Sequence, residues 1–153
     1  MSNPTTTTTR PPITCHVLDT TTGRPAANLS VKLSCVSLPE IEFVGTTNAD
    51  GRIAAWANTQ GENGKEGEYV VNKGGVLGAL GAIIEEAALV EELGARGPPG
   101  SSLWKLRFDT GAHYGVGKTF FPIVELSFLV VKGEHFHVPL LLGPYSFTTY
   151  RGS

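Results

Sequence analysis

Val31-Lys-Leu-Ser-Cys-Val-Ser37 alternates: Val31, Leu33 and Cys35 point one way, Lys32 and Ser34 the other. A period of two marks a half-buried β-strand, because successive side chains leave opposite faces of a sheet. Ile41–Thr47 makes a second such run, and Asn48-Ala-Asp-Gly51 after it reads as a tight turn. Asp-Gly between β segments is a strong hairpin signal, so Arg52 is expected at a fixed place beside a turn. Upstream, Ile13-Thr-Cys-His-Val-Leu-Asp19 is an apolar, β-branched run closed by the turn chemistry of Thr20-Thr-Thr-Gly-Arg-Pro25. Downstream, Leu103–Asp109 alternates again, and Ile123–Val131 is nearly all apolar. Lys132-Gly133 turns the chain into His135–Leu142, Gly143-Pro144 ends that run, and Ser146–Arg151 is a last extended segment. Short strands with regularly spaced turns predict a mainly β chain folded as a sandwich.

Two stretches stand apart. Residues 1–11 are rich in Thr and Pro, too polar to offset the entropy of ordering, and read as a flexible leader before one domain over 12–153. Residues 57–102 read as an insertion: a Gly- and charge-rich start, then Ala82–Ala95 as the one convincing helix, stopped by Gly94, Gly97 and Pro98-Pro99-Gly100. The apolar stripe of that helix is ragged, which predicts a helix on the surface or weakly ordered. Residues 110–122 read as a Gly-rich, aromatic connection.

At 153 residues the chain can bury about two-thirds of its unfolded surface without a metal or disulfide staple. A net charge of −2 gives no footprint for nucleic acid and no polybasic membrane patch. Neither a signal-like apolar core nor a run of about 18 apolar residues is present, so an intracellular protein is expected. The final Arg-Gly-Ser is not the usual peroxisomal tripeptide, which leaves cytoplasm and peroxisome both open. Cys15 and Cys35 lie in apolar strands outside any paired-cysteine motif and read as buried small side chains.

Four histidines carry the candidate chemistry: His16, His113, His135 and His137. His16 lies mid-strand on the face of Thr14 and Leu18. His135 and His137, two apart, share a face. With a third histidine that pair would make a three-histidine zinc site, one reading of the pattern. No serine-nucleophile elbow, HExxH motif or phosphate-binding loop is present. The end of the chain, Tyr145-Ser-Phe-Thr-Thr-Tyr-Arg-Gly-Ser153, is aromatic and strand-like where most termini fray.

These runs carry a resemblance. Ile13–Thr20 followed by Gly23-Arg-Pro-Ala26 resembles the opening signature of the 5-hydroxyisourate hydrolases, the transthyretin-like enzymes of urate breakdown. Thr47-Asn-Ala-Asp-Gly-Arg52 resembles their central motif, while His135-Phe-His-Val-Pro-Leu-Leu-Leu142 and Tyr150-Arg-Gly-Ser153 resemble their closing one. The stretch 57–102 carries no such motif. The resemblance implies a transthyretin-like sandwich of two antiparallel sheets in a homotetramer, a dimer of dimers with active sites in the channel between dimers. It implies hydrolysis of 5-hydroxyisourate to 2-oxo-4-hydroxy-4-carboxy-5-ureidoimidazoline, with no cofactor or metal.

Carried over by motif, His16, Arg52, His137 and Ser153 would be catalytic, and His16, Arg52, Tyr150 and Arg151 would bind substrate. His135 matches a position that is not the family's catalytic histidine and is left out. One histidine would act as general base on water, since its pKa near 6.5 lets it take and return a proton near neutrality. The other would orient the water or protonate the leaving nitrogen; the sequence does not say which does which. Arg52 would hold an oxyanion, Tyr150 would donate to the substrate ring, and Arg151 and Ser153 would shape the floor. The alternatives are a small-ligand carrier on the same fold, a zinc enzyme and a purely structural tetramer.

Overall fold

The computed structural model describes residues 11–36, 38–58, 80–81, 83–84 and 97–153. Ten strands are present among them: β1 Ile13–Asp19, β2 Arg24–Pro25, β3 Ser30–Cys35, β4 Leu38–Thr46, β5 Arg52–Ile53, β6 Ala57–Asn58, β7 Ser101–Phe108, β8 Val124–Val131, β9 Phe136–Leu142 and β10 Phe147–Thr149. One sheet runs β10-β9-β1-β2, with β5 also paired to β1; the other runs β6-β4-β3-β7-β8. Every pairing is antiparallel except β1 with β9, which run parallel from Ile13 against Phe136 to Asp19 against Leu142.

The predicted alternation decides which side chains meet. On β1, Ile13, Cys15 and Val17 are fully buried, so Thr14, His16 and Leu18 are left on the outer face of the first sheet. On the second sheet Val31, Leu33, Phe43, Trp104, Leu106 and Phe108 point inward and complete the core. The buried polar tips are satisfied, as they must be away from water. Trp56 Nε1 donates to the Ile13 carbonyl at 2.8 Å, and Trp104 Nε1 to Ser102 Oγ at 2.9 Å. Both cysteines are buried, and no disulfide joins them. Burial pushes the Cys15 thiol up to about 12, despite an opposing backbone hydrogen bond at Ile53.

Three features depart from the sequence reading. Residues 110–122 open with a short helix, α1 Thr110–Tyr114, capped by Asp109, whose side chain accepts from Ala112 N, and ended at Gly115 with φ 96°. That Asp…Gly bracket was its only local signal. Of the helix expected over 82–95, only Ile83 and Ile84 are described; they are helical, as are Leu80 and Gly81 before them. Leu80, Ile83 and Ile84, spaced for one helical face, sit in the hydrophobic core rather than on the surface. The rest of the expected helix, and most of 57–102, lies outside the described residues, as does the leader up to residue 10. Finally β2, β5 and β6 are two-residue strands, too short for any periodicity to show.

Candidate active site

The two outer faces differ in kind. The second sheet carries solvated pairs, Lys32 with Glu42 and Glu125 with Lys105 and Arg107, of the sort that contribute little. The first sheet carries histidines, an arginine and a buried threonine.

Register assembles them. His16 is paired directly with Arg52 across β1 and β5, and Thr14 with His137 across β1 and β9. The two imidazoles lie on one face with ring centroids 6.4 Å apart. Arg52 is delivered by the Asn48–Gly51 turn. Asn48 Oδ1 accepts from Asp50 N at 2.9 Å and Arg52 N at 3.0 Å, and the Asn48 carbonyl accepts from Gly51 N at 2.9 Å. Gly51 has φ +73°, and a Cβ there would stand 2.4 Å from the Val17 carbonyl oxygen. Only glycine fits, and its own carbonyl accepts from Val17 N at 2.8 Å, fixing the turn to β1. Thr47, fully inside, braces the other side: its hydroxyl donates to the Ala26 carbonyl at 2.6 Å and accepts from Leu29 N at 2.8 Å.

The end of the chain returns to the same place. Gly152 N donates to the His137 carbonyl at 2.8 Å, forming an isolated antiparallel bridge. A Cβ on Gly152 would meet His137 Cδ2 at 2.6 Å and Pro139 Cγ at 3.0 Å, so the tail lies directly against the imidazole. Ser153 thereby joins Thr14, Arg52, His135 and His137 around a cavity of about 160 Å3. Tyr150 and Arg151 line a second recess of about 340 Å3 that shares His137 with the first, and the Arg151 guanidinium lies 4.4 Å above the Phe136 ring, 3.3 Å from Glu134 Oε1.

Electrostatics favour a neutral His16. Desolvation lowers its pKa, and the adjacent Arg52 charge lowers it further, against a weaker pull upward from Asp50. A neutral imidazole beside a guanidinium offers a proton acceptor next to an anion holder. His113 takes no part. It pairs with Asp19 at 2.9 Å and secures α1 to the end of β1. Burial alone would raise the Asp19 carboxyl, but hydrogen bonds from the Thr21 side chain, His113 and Thr21 N hold it at about 2.

His135 is the residue that motif reasoning set aside. Its Nδ1 lies 2.9 Å from the Pro11 carbonyl and its Nε2 3.4 Å from Thr14 Oγ1, whose other neighbour is His137 Nδ1 at 2.8 Å. Both ring nitrogens of His135 thus have neighbours within the protein, and among the described residues no three His, Cys, Asp or Glu side chains converge as a metal site. Nor is any helix among the described residues long and apolar enough to cross a membrane.

The family described as HIUase/Transthyretin matches residues 13–75 and 78–152. The chain belongs to this family. The match continues through most of 57–102. Within the family, the chain is 34% identical over 150 residues to a "Probable 5-hydroxyisourate hydrolase" of Schizosaccharomyces pombe, covering 94% of this chain and 92% of that protein. It is 33% identical over 149 residues to the 5-hydroxyisourate hydrolase of Mus musculus, covering 93% and 95%. The solved 5-hydroxyisourate hydrolase of Klebsiella pneumoniae superposes with a TM-score of 0.56 at 25% identity, over 92% of this chain and 98% of that one. The predicted transthyretin-like sandwich is therefore the fold of this HIUase/Transthyretin member.

Proposed function

We infer that the chain is a hydrolase of urate degradation that opens 5-hydroxyisourate to 2-oxo-4-hydroxy-4-carboxy-5-ureidoimidazoline. The observation that carries this is the convergence of His16, Arg52, His137 and Ser153 on one outer face, in a chain whose relatives bear that activity's name. Water attacks the ring carbonyl, a histidine takes its proton, and the C–N bond of the cyclic amide breaks. The carbonyl carbon becomes the carboxylate, and the nitrogen, reprotonated, becomes part of the ureido group. Arg52 stabilises the oxyanion of the tetrahedral intermediate through its planar donor fork. Ser153, beside His137, donates a hydrogen bond to the same intermediate, while Tyr150 and Arg151 bind substrate from the neighbouring recess.

The working form is a homotetramer, a dimer of dimers. Support comes from β8 and β10, one end strand of each sheet, whose outer edges pair with no strand among the described residues and can accept a second copy. Val116, Phe120 and Tyr145 add an exposed apolar surface, 84%, 72% and 71% accessible. In such an assembly the site faces a channel between dimers. The compartment is cytoplasmic or peroxisomal.

The test of the site is a variant series. His16→Ala, Arg52→Ala and His137→Ala should each lower turnover of 5-hydroxyisourate by about 10²-fold or more with folding intact. Turnover unchanged in all three would place the chemistry elsewhere.

A further inference from the structure

We propose that Thr14 and His135 are positioning residues that fix the tautomer of His137, so that its unprotonated nitrogen is Nε2. The proposal deepens the hydrolase reading and rests on it for its kinetic consequence, but not for its geometry.

The carbonyl oxygen of Pro11 can only accept, so His135 Nδ1, 2.9 Å away, carries a hydrogen and donates it. In the neutral ring Nε2 then holds a lone pair and can only accept. Its neighbour is Thr14 Oγ1 at 3.4 Å, whose single hydrogen is therefore directed to it. The Thr14 oxygen is left with lone pairs alone toward His137 Nδ1, at 2.8 Å. That short contact is a hydrogen bond only if His137 Nδ1 brings the proton. Neutral His137 consequently carries none on Nε2. The opposite assignment would set the Thr14 oxygen lone pairs against the His135 Nε2 lone pair across the 3.4 Å contact. The backbone supplies the direction: one carbonyl, that of Pro11 two residues before β1, orients a chain of two imidazoles and a hydroxyl.

Placement makes this chain hard to avoid. Thr14 and His137 are register partners on parallel strands, and His135, two residues before His137, falls on the same face. Thr14 is 8% exposed, so water competes poorly for its hydroxyl. A third group that holds a histidine in one tautomer is a recurring element of acid–base catalysis, and a histidine in the wrong tautomer loses most of its effect as a base.

The direct experiment is 15N NMR of the ring nitrogens in the intact protein, with His137 assigned by comparison with His137→Gln. Above the imidazole pKa, Nδ1 of His137 should be the protonated, pyrrole-type nitrogen and Nε2 the pyridine-type one. The reverse pattern, Nε2 protonated, overturns the proposal whatever the protein's activity. Kinetics supply the second arm. Thr14→Val, which keeps shape and removes the hydroxyl, should lower kcat about 10- to 100-fold with KM within about twofold, and Thr14→Ser should recover most of that loss. His135→Phe should lower kcat similarly, and the Thr14→Val/His135→Phe double variant should fall no further than either single one. Equal loss in Thr14→Ser and Thr14→Val would mean that Thr14 acts by packing alone. A wild type without turnover would refute the hydrolase reading and leave the NMR result standing.

Discussion

His16 and Arg52 face each other as register partners across β1 and β5, the Arg52 backbone held there by a four-residue turn that only a glycine at position 51 can close. Their proximity does two things at once. Desolvation and the positive charge lower the His16 pKa, and in the proposed reaction the same charge would meet the developing oxyanion.

The pH profile should report this pair. A neutral His16 is competent above its pKa, so activity should be lost as pH falls through a value below the ordinary 6.5. Arg52→Gln removes one of the two lowering influences. Its residual activity, reduced about 10²- to 10³-fold, should show an acid limb displaced toward higher pH. A limb moved toward lower pH would contradict the coupling.

Gly152→Ala tests the packing of the tail on the imidazole. The new Cβ would lie 2.6 Å from His137 Cδ2, so either the ring or the terminal segment must move. The bridge lies at the sheet's margin, so Tm should fall by only a few degrees, while kcat/KM should drop about 10²-fold, as for an ångström-scale misplacement. Full activity would mean that neither His137 nor Ser153 needs its observed position.

Gly51→Ala should be costly in a different way. It places a side chain at φ +73° and 2.4 Å from the Val17 carbonyl oxygen, so backbone must shift. A loss of about 2–4 kcal/mol in chemical denaturation is expected, together with weaker catalysis as Arg52 is displaced. A stable variant whose kcat falls by less than twofold would show that the turn does not position Arg52.

Acid should weaken the clamp between β1 and α1. Asp19 is held at about 2, below the 3.8 of a free carboxyl, so its contribution is complete above about pH 4 and lost as pH falls toward 2. Asp19→Asn should therefore cost on the order of 2 kcal/mol at pH 7 and much less at pH 2, read from urea midpoints at both. A gap that stays constant with pH would place the effect in packing.

Much of this is legible in the sequence itself. Alternation of the kind seen at Val31, Leu33 and Cys35 identified the long strands, and it put His16 on one face with Thr14 and Leu18. What it could not supply was pairing: the parallel match of Thr14 with His137 joins residues over a hundred positions apart, and no local period encodes a partner. The two-residue strand β5 was invisible for the same reason, although Asp50-Gly51 marked the turn that delivers it. His135 was passed over because motif comparison selects side chains that meet substrate and is blind to one that acts through Thr14. Its signal was present all the same in its place two residues from His137, on the same face of the strand. The core placement of Leu80, Ile83 and Ile84 was hidden because the helical stripe was read from Ala82 onward, which left out its first member.

The most direct test is one progress curve: the ultraviolet decay of freshly generated 5-hydroxyisourate, with and without the wild-type protein. With the protein, decay should run well above the spontaneous rate, proportional to protein concentration and yielding 2-oxo-4-hydroxy-4-carboxy-5-ureidoimidazoline. Decay at the spontaneous rate, with substrate bound but not consumed, would contradict the hydrolase reading and leave a small-ligand carrier on the same fold.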